Sequence, residues 1–172
     1  MAKEDTKDLK KFLKPFPAGK QEIAWYLRDF VWELYPTCNE LIYDNYNALA
    51  FGWSPTDRQG HVFCSIAVGR TSKNIHFGFY WGAQIKDPEK KLIGNGNQYR
   101  YILVKHKKDF PRPYIEQLVH EAYVNSLSKV KDPGQLVEGK TITKAVSAAK
   151  RKLKEKPGIN SKKSLTAKDK RK

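Results

Sequence analysis

The chain has 172 residues, of which 40% are hydrophobic and 12% aromatic, a composition that predicts one globular domain with a substantial core. The formal net charge is +15, but residues 140–172 carry +11 of it, so the rest of the chain is a mildly basic body. No apolar run is long enough to cross a bilayer and none follows the charged N-terminus, which excludes a membrane-spanning helix and leads us to expect a cytoplasmic protein.

Two helices are predicted before the first strand. The polar residues 1–14 form a short helix, and residues 18–35 form a stronger one that ends before Pro36, because the residue before a proline is pushed out of the helical region. Apolar residues of the second helix recur with a period of 3.6, at Ile23, Leu27, Phe30, Val31 and Leu34. This period predicts a helix with one buried face.

Five strands are predicted next. Two lie in the segment ELIYDNYNALAFGW, and the other three in HVFCSIAVG, NIHFGFYW and QYRYILVKH. Side chains alternate between the two faces of a strand, so one face of the sheet is apolar and should carry the helices. The residues assigned to that apolar face are Val62, Cys64, Ile66, Val68, Ile75, Phe77, Phe79, Trp81, Ile102 and Val104. The opposite face is mixed, with aromatic rings, histidines and a gap at Gly78.

The C-terminal third is predicted to be helical and then disordered. Residues 112–130 form an amphipathic helix, residues 140–156 a basic amphipathic helix with its stripe over 141–156, and residues 157–172 a disordered lysine-rich tail. The domain therefore spans residues 1–139. The predicted fold is α+β, an antiparallel sheet of about five strands with helices mainly on one face, followed by the basic helix and the tail.

The mixed sheet face is the first candidate site. If their strands pair, the side chains of five residues line a concave polar and aromatic surface suited to a small anionic or aromatic ligand or to a protein partner. These residues are His61, Phe63, His76, Tyr80 and Tyr101. The alternative interpretation is a partly exposed sheet surface without a ligand.

A glycine-rich loop is the second candidate. Gly94 and Gly96 precede Arg100, and a loop of this kind can hold an anion on its backbone amides. It does not match a dinucleotide-binding fingerprint, because Tyr99 takes the third glycine position and the loop leads into a strand rather than a helix. The alternative is a turn that glycine permits.

Catalytic and metal motifs are absent from the sequence. No GxSxG or HExxH motif occurs, and His61, His76, His106 and His120 lack metal-ligand spacing. Cys38 and Cys64 belong to no CxxC motif, so we expect reduced thiols buried as small hydrophobic residues. We therefore expect no cofactor and no catalytic residue.

The basic C-terminus is the third candidate. Its lysines and arginines could neutralise nucleic-acid phosphates without sequence specificity, although no aromatic residue follows Tyr123 to stack on bases. The alternative is a solvated tail that improves solubility. The candidate nucleic-acid contacts are Lys150, Arg151, Lys152, Lys154, Lys162 and Lys163.

The order of elements over residues 17–127 resembles the YdhG-like family, a bacterial domain of unknown function. The likeness rests on the segment NELIYDNYNALAF, the strand HVFCSIAVG, the block HFGFYWGAQIKDPEKKLIGNGNQYRYILV and the helix YIEQLVHEAY. The resemblance implies a small α+β protein and no settled enzymatic activity. Some members are described as frataxin-like iron chaperones, so it also implies iron as a candidate ligand.

Together these patterns predict a non-enzymatic binding module that holds a small ligand or a protein partner on its mixed sheet face. Two alternatives stay open. One is an intracellular iron-binding chaperone, and the other is nonspecific nucleic-acid association through the basic tail.

Overall fold

The computed structural model describes residues 6–136 and 139–153. Within them the chain forms three α-helices and six β-strands, joined by loops and 3₁₀ turns. In chain order the elements are α1 (Lys7–Leu13), α2 (Ala18–Leu34), β1 (Asn39–Asp44), β2 (Ala48–Ser54), β3 (Cys64–Gly69), β4 (Ile75–Tyr80), β5 (Tyr99–Val104), α3 (Arg112–Leu127) and β6 (Thr141–Val146).

The strands form one mostly antiparallel sheet in the order β5-β4-β3-β2-β1-β6. The first five pair antiparallel in sequence order, and β6 adds to the free edge of β1 as a parallel partner. The mixed α+β fold and the five predicted strands are confirmed. The predicted sheet lacked its sixth strand and its one parallel pairing.

The prediction of a helix over 141–156 is wrong for the described residues. Thr141–Val146 is a strand, and the chain has no regular structure from there to Leu153. Strand β6 pairs with β1 from Glu40↔Thr141 to Asp44↔Val146, with a register shift between Ile42 and Tyr43. The open edge of β1 offers backbone hydrogen bonds, and β-branched Thr141 and Thr143 suit a strand. Residues 154–172 lie outside the described residues.

The three helices pack on one face of the sheet, as predicted. The side chains between them form a single apolar core in which Phe30 of α2, Phe77 of β4 and Phe110 before α3 meet edge to face. The ring centres of Phe30 and Phe110 are 5.0 Å apart. Cys38 and Cys64 are free thiols buried in this core, which confirms the prediction for both.

Two buried ion pairs lie on the same helix-covered face of β1. Arg28 of α2 donates from Nε and Nη2 to the two carboxylate oxygens of Glu40 at 2.7 and 2.6 Å, and Thr141 donates from Oγ1 to Glu40 at 2.9 Å. Asp44 accepts from Arg70 Nη2 at 2.6 Å and pairs with Lys150 Nζ at 2.8 Å. These charges tie α2, β1 and the C-terminal segment together.

No helix in residues 6–136 or 139–153 has the length and apolar character needed to span a membrane.

Candidate functional site

The opposite face of the sheet is free of helices in the described part of the chain, and we call it the open face. A cavity of about 620 Å³ lies on it over the middle of β2 and β3. Its floor consists of the small residues Ala50, Ser65 and Ala67. The remaining lining residues are Gln59, Gly60, Tyr80, Trp81, Gln98 and Tyr99. None of these nine residues has a charged side chain, so the cavity is a neutral surface of rings, methyl groups, amides and hydroxyls.

Register places the floor and the walls on the same face. Ser65 pairs with Gly78, and Tyr80 pairs with Tyr99 at the far side of the sheet. The rings of Tyr80 and Tyr99 meet edge to face with their centres 5.5 Å apart. Gly78 has no side chain, and the ring of Tyr99 occupies the space where a Cβ atom would lie. The missing side chain of Gly78 therefore lets the Tyr99 ring of the cavity wall lie flat against the sheet.

The wall hydroxyls form a small polar group. Burial raises the pKa of Tyr80, and the hydrogen bond with Ser65 only partly opposes this rise. The pKa of Tyr99 is also raised by burial, with Tyr80 nearby adding to the rise and Ser65 again opposing it. Both phenols therefore stay protonated at neutral pH, and each is able to donate a hydrogen bond.

Trp81 stands on the rim with an unusual backbone. Its φ is +56° and its ψ +37°, a left-handed conformation that a bulky residue rarely adopts and that costs roughly 1–3 kcal/mol. The Trp81 N–H donates to the Gln98 carbonyl at 2.5 Å, and Lys129 Nζ lies 4.4 Å from the ring centre. These contacts hold the strained residue where β4 leaves the sheet.

Three of the five predicted residues lie on the open face, but only Tyr80 lines the cavity. His76 and Tyr101 are neighbours, with their rings stacked at 4.1 Å between centres and 7° between planes. Burial lowers the pKa of His76, so its ring is neutral at pH 7. This stacked pair lies beside the cavity and extends the aromatic surface toward the β5 edge.

The prediction that Phe63 lies on the mixed face is wrong. Phe63 is completely buried on the helix side, with its ring 5.2 Å from that of Tyr35 and 5.4 Å from that of Tyr123. The Phe63 N–H donates to the Trp53 carbonyl, while Cys64 is the register partner of Trp53. Regular alternation therefore starts at Cys64 and does not extend back to Phe63.

Val62 and His61 are displaced from their predicted positions for the same reason. Val62 was assigned to the helix-covered face, but it packs over Gly52 on the open face. His61 ends a 3₁₀ turn, Gln59–His61, instead of starting a strand beside His76. Its Nδ1 lies 2.8 Å from the hydroxyl of Thr56, and its carbonyl accepts from Ser126 of α3. These bonds give His61 a structural role in holding the β2–β3 loop.

The glycine loop lies at the β5 edge of the sheet. Gly94 has a φ of +105°, which explains the glycine, and Ile93 forms an isolated bridge with Tyr101. Arg100 donates from Nε to the Gly96 carbonyl at 3.3 Å, so it contacts the loop backbone directly. The loop is thus a chain reversal that places a short extended segment against β5.

The sequence pointed to the face but missed most of the cavity. Ser65 and Tyr99 alternate with residues of the apolar face and so fall on the mixed face, yet the sequence gives no chemical reason to choose them as site residues. Ala50 and Ala67 give no chemical signal, since small residues matter here only because their neighbours are large. Gln59, Gly60 and Gln98 come from loops whose position depends on the folded sheet.

The described part of the basic C-terminus is partly bound to the body. Lys150 contacts both the carboxylate and the carbonyl of Asp44, and the Arg151 N–H donates to the Tyr46 carbonyl. Arg151 and Lys152 have exposed side chains. Lys154, Lys162 and Lys163 lie outside the described residues, so the nucleic-acid hypothesis stays a prediction.

Residues 6–136 and 139–153 contain no group of side chains arranged as a metal site. No cluster of three or more His, Cys, Asp or Glu side chains there is arranged to hold a metal ion. Thr56 and His61 make the contact most like a nucleophile and its base, but Thr56 is fully buried and accepts the Arg58 N–H at 3.1 Å. These contacts are better explained by a role of the pair in stabilising the β2–β3 loop than by a catalytic role.

Comparisons with models of known protein families, with curated proteins and with solved structures found no match to this chain.

Proposed function

We propose that the chain is a non-enzymatic binding module that holds a small, uncharged, partly aromatic molecule in the open-face cavity. The observation that carries this proposal is a cavity of about 620 Å³ without a charged side chain in its lining. This volume is in the range of small-molecule sites, about 300–1,000 Å³.

The lining favours an uncharged ligand over an ionic one. An ionised group that binds against this lining gives up part of its hydration and gains no counter-charge from the lining in return, which is unfavourable. The rings of Tyr80 and Tyr99 offer apolar and edge-to-face contacts to a planar molecule. The hydroxyl of Ser65 and the amides of Gln59 and Gln98 supply the few polar contacts that set its orientation.

The rim supports the same proposal. Strained backbone such as that of Trp81 persists only where surrounding contacts hold it, and it is concentrated at binding sites. Trp81 immediately follows Tyr80 in the sequence. Contacts between a bound ligand and Trp81 would therefore help to offset the backbone strain of Trp81 beside the aromatic wall.

The test is a thermal-shift screen with nucleobases, nucleosides and neutral aromatic metabolites, followed by calorimetry on any hit. A ligand at a hundred times its Kd stabilises the folded state by about 2.7 kcal/mol, a readily measured shift. In the variant Ala67→Leu the longer side chain fills the cavity floor, and we expect it to weaken binding at least about tenfold by steric exclusion.

The matched control is Ala145→Leu, the same change on exposed β6 outside the cavity lining. It should leave the Kd of the hit within about twofold of the wild type, because it removes no contact. If nothing in the screen stabilises the wild type, or if both variants weaken the hit equally, the small-molecule proposal is wrong.

The other two hypotheses have less support. The iron-chaperone hypothesis derives from the family resemblance alone, and anaerobic calorimetry with ferrous iron tests it. The nucleic-acid hypothesis concerns the basic side chains of residues 140–172, and filter binding of a chain that ends at Leu153, which keeps β6, tests the contribution of the residues beyond it.

A further inference from the structure

A second cleft lies at the other end of the fold, away from the open-face cavity. Its volume is about 510 Å³, and three segments converge on it. They are the start of α2, the turn between β3 and β4, and the connection from β5 to α3. Residues far apart in the sequence are thus brought to one concave surface.

Lysines dominate this cleft. Five of them line it, namely Lys20, Lys73, Lys105, Lys107 and Lys108, together with His106. Glu22 is the one acidic residue in the lining. Five lysines against one glutamate give these side chains a net charge of +4 within a surface that a single small molecule could contact.

Two of the five lysines already have protein partners. Lys20 donates from Nζ to the carbonyls of Gly69 and Ser72, which fixes the β3–β4 turn against α2. Lys107 pairs with Glu22 at 2.7 Å. The ammonium groups of Lys73, Lys105 and Lys108 form no ion pair or hydrogen bond with any residue in 6–136 or 139–153.

Three arginines of the chain show a different arrangement. Arg28 and Arg70 are each paired with a carboxylate on β1, and Arg112 is paired with both Glu33 and Glu116. In the cleft, unpaired ammonium groups converge from two segments, and their mutual repulsion is relieved only by solvent ions or by a bound anion.

We propose that this lysine cleft binds a small, multiply phosphorylated anion. Lysine is a point-charge donor that suits phosphate oxygens without demanding one geometry. The three unpaired ammonium groups would together neutralise the charge of the ligand. Lys20, which is bound to backbone carbonyls, would hold in place the β3–β4 turn that forms one wall of the cleft.

The shape of the cleft favours a small anion over a nucleic-acid strand. A single-stranded nucleic acid is held by a charged groove together with aromatic rings on which bases stack. No Phe, Tyr or Trp is among the lining residues, and a volume of about 510 Å³ accommodates one phosphorylated metabolite. The lining of the open-face cavity is uncharged, so the two sites favour different ligands, an uncharged molecule in the cavity and an anion in the cleft.

The test is calorimetry of the full chain with inorganic tripolyphosphate as the probe, at fixed ionic strength near 0.15 M. The double variant Lys105→Ala/Lys108→Ala removes two exposed, unpaired lysines and should fold normally. We expect it to weaken tripolyphosphate binding at least about tenfold, because it removes two of the three unpaired ammonium groups that would contact the anion.

The matched control is Lys86→Ala/Lys131→Ala, which removes the same charge from exposed positions outside the cleft. It should change the Kd less than about twofold if binding is local, because distant exposed charges are largely screened. Equal weakening in both double variants would mean general electrostatic attraction and would overturn the proposal. So would a wild type that binds a single-stranded oligonucleotide but not tripolyphosphate.

Discussion

At Gly78, in the middle of β4, the ring of Tyr99 lies directly against the backbone of its neighbouring strand. A Cβ atom built on Gly78 would come within 2.1 Å of the Tyr99 hydroxyl oxygen and 2.3 Å of two ring carbons. A tyrosine ring that also bonds Ser65 and packs on Tyr80 has little freedom to move aside. The missing side chain at this position therefore sets where the cavity wall stands.

We predict that Gly78→Ala destabilises the protein by about 1–3 kcal/mol, the usual penalty for overpacking a filled site. Urea denaturation measures this change in the free energy of unfolding. The control is Gly60→Ala, because Gly60 also lines the cavity but a Cβ there meets no atom within 4 Å. Gly60→Ala should stay within about 0.5 kcal/mol of the wild type. A neutral result at Gly78 would show that Tyr99 moves easily and that the wall is not rigid.

Glu40 joins three elements in one buried contact. It accepts two hydrogen bonds from Arg28 of α2 and one from Thr141 of β6, and both partners of the ion pair are at most 2% exposed. Trp25 and Trp32 place their rings 5.5 and 5.9 Å from the Arg28 guanidinium carbon. Arg28 thus has no access to water if its carboxylate is removed.

We predict that Glu40→Gln lowers the free energy of unfolding by about 3–5 kcal/mol, since it leaves a buried cation without its counter-charge. The matched control is Glu33→Gln, which breaks the exposed pair with Arg112. That change should cost about 1 kcal/mol or less, because water screens exposed pairs. Chemical denaturation compares the two. Similar small losses in both variants would contradict the role of Glu40 as a joint between elements.

Sequence patterns correctly predicted the elements in which apolar residues recur because one face of the element is buried. The apolar repeat of α2 and the alternation of β4 both reflect burial on a single face, and both are confirmed. In residues 141–156, Ile142, Ala145, Val146 and Ala149 have helical spacing, but the unpaired edge of β1 outweighs it. No local pattern contains that edge, since it exists only once the sheet has formed. The prediction for Phe63 was wrong for a related reason. The Phe63 N–H donates to the Trp53 carbonyl although Cys64 is the register partner of Trp53, and the local pattern does not contain this irregular pairing.

The core encloses both thiols of the molecule. Burial raises the pKa of Cys38 to about 12, and burial together with nearby Cys38 raises the pKa of Cys64 well above its usual range. The thiolate is the reactive form, so the folded protein presents almost none of it at pH 8. Unfolding returns both thiols to a pKa of about 8.5 and to solvent.

We predict that native protein at pH 8 does not react with iodoacetamide over an hour, whereas protein in concentrated urea is labelled at both cysteines. Mass spectrometry counts the added groups, and the urea-unfolded sample is the positive control. Labelling of the native chain within minutes would contradict the buried positions of Cys38 and Cys64. Because the whole core encloses them, slow native labelling should follow the rate of global unfolding.

The position of β6 has a consequence for synthesis on the ribosome. Strands β1 to β5 pair with their neighbours in translation order, but the Thr141–Glu40 hydrogen bond spans 101 residues. The β1 edge, with Leu41 and Ile42, therefore stays unpaired for most of translation, and such edges invite pairing with other chains. Because β6 can pair with β1 only after residue 146 has been made, this edge of the sheet is open to pairing with other chains until then.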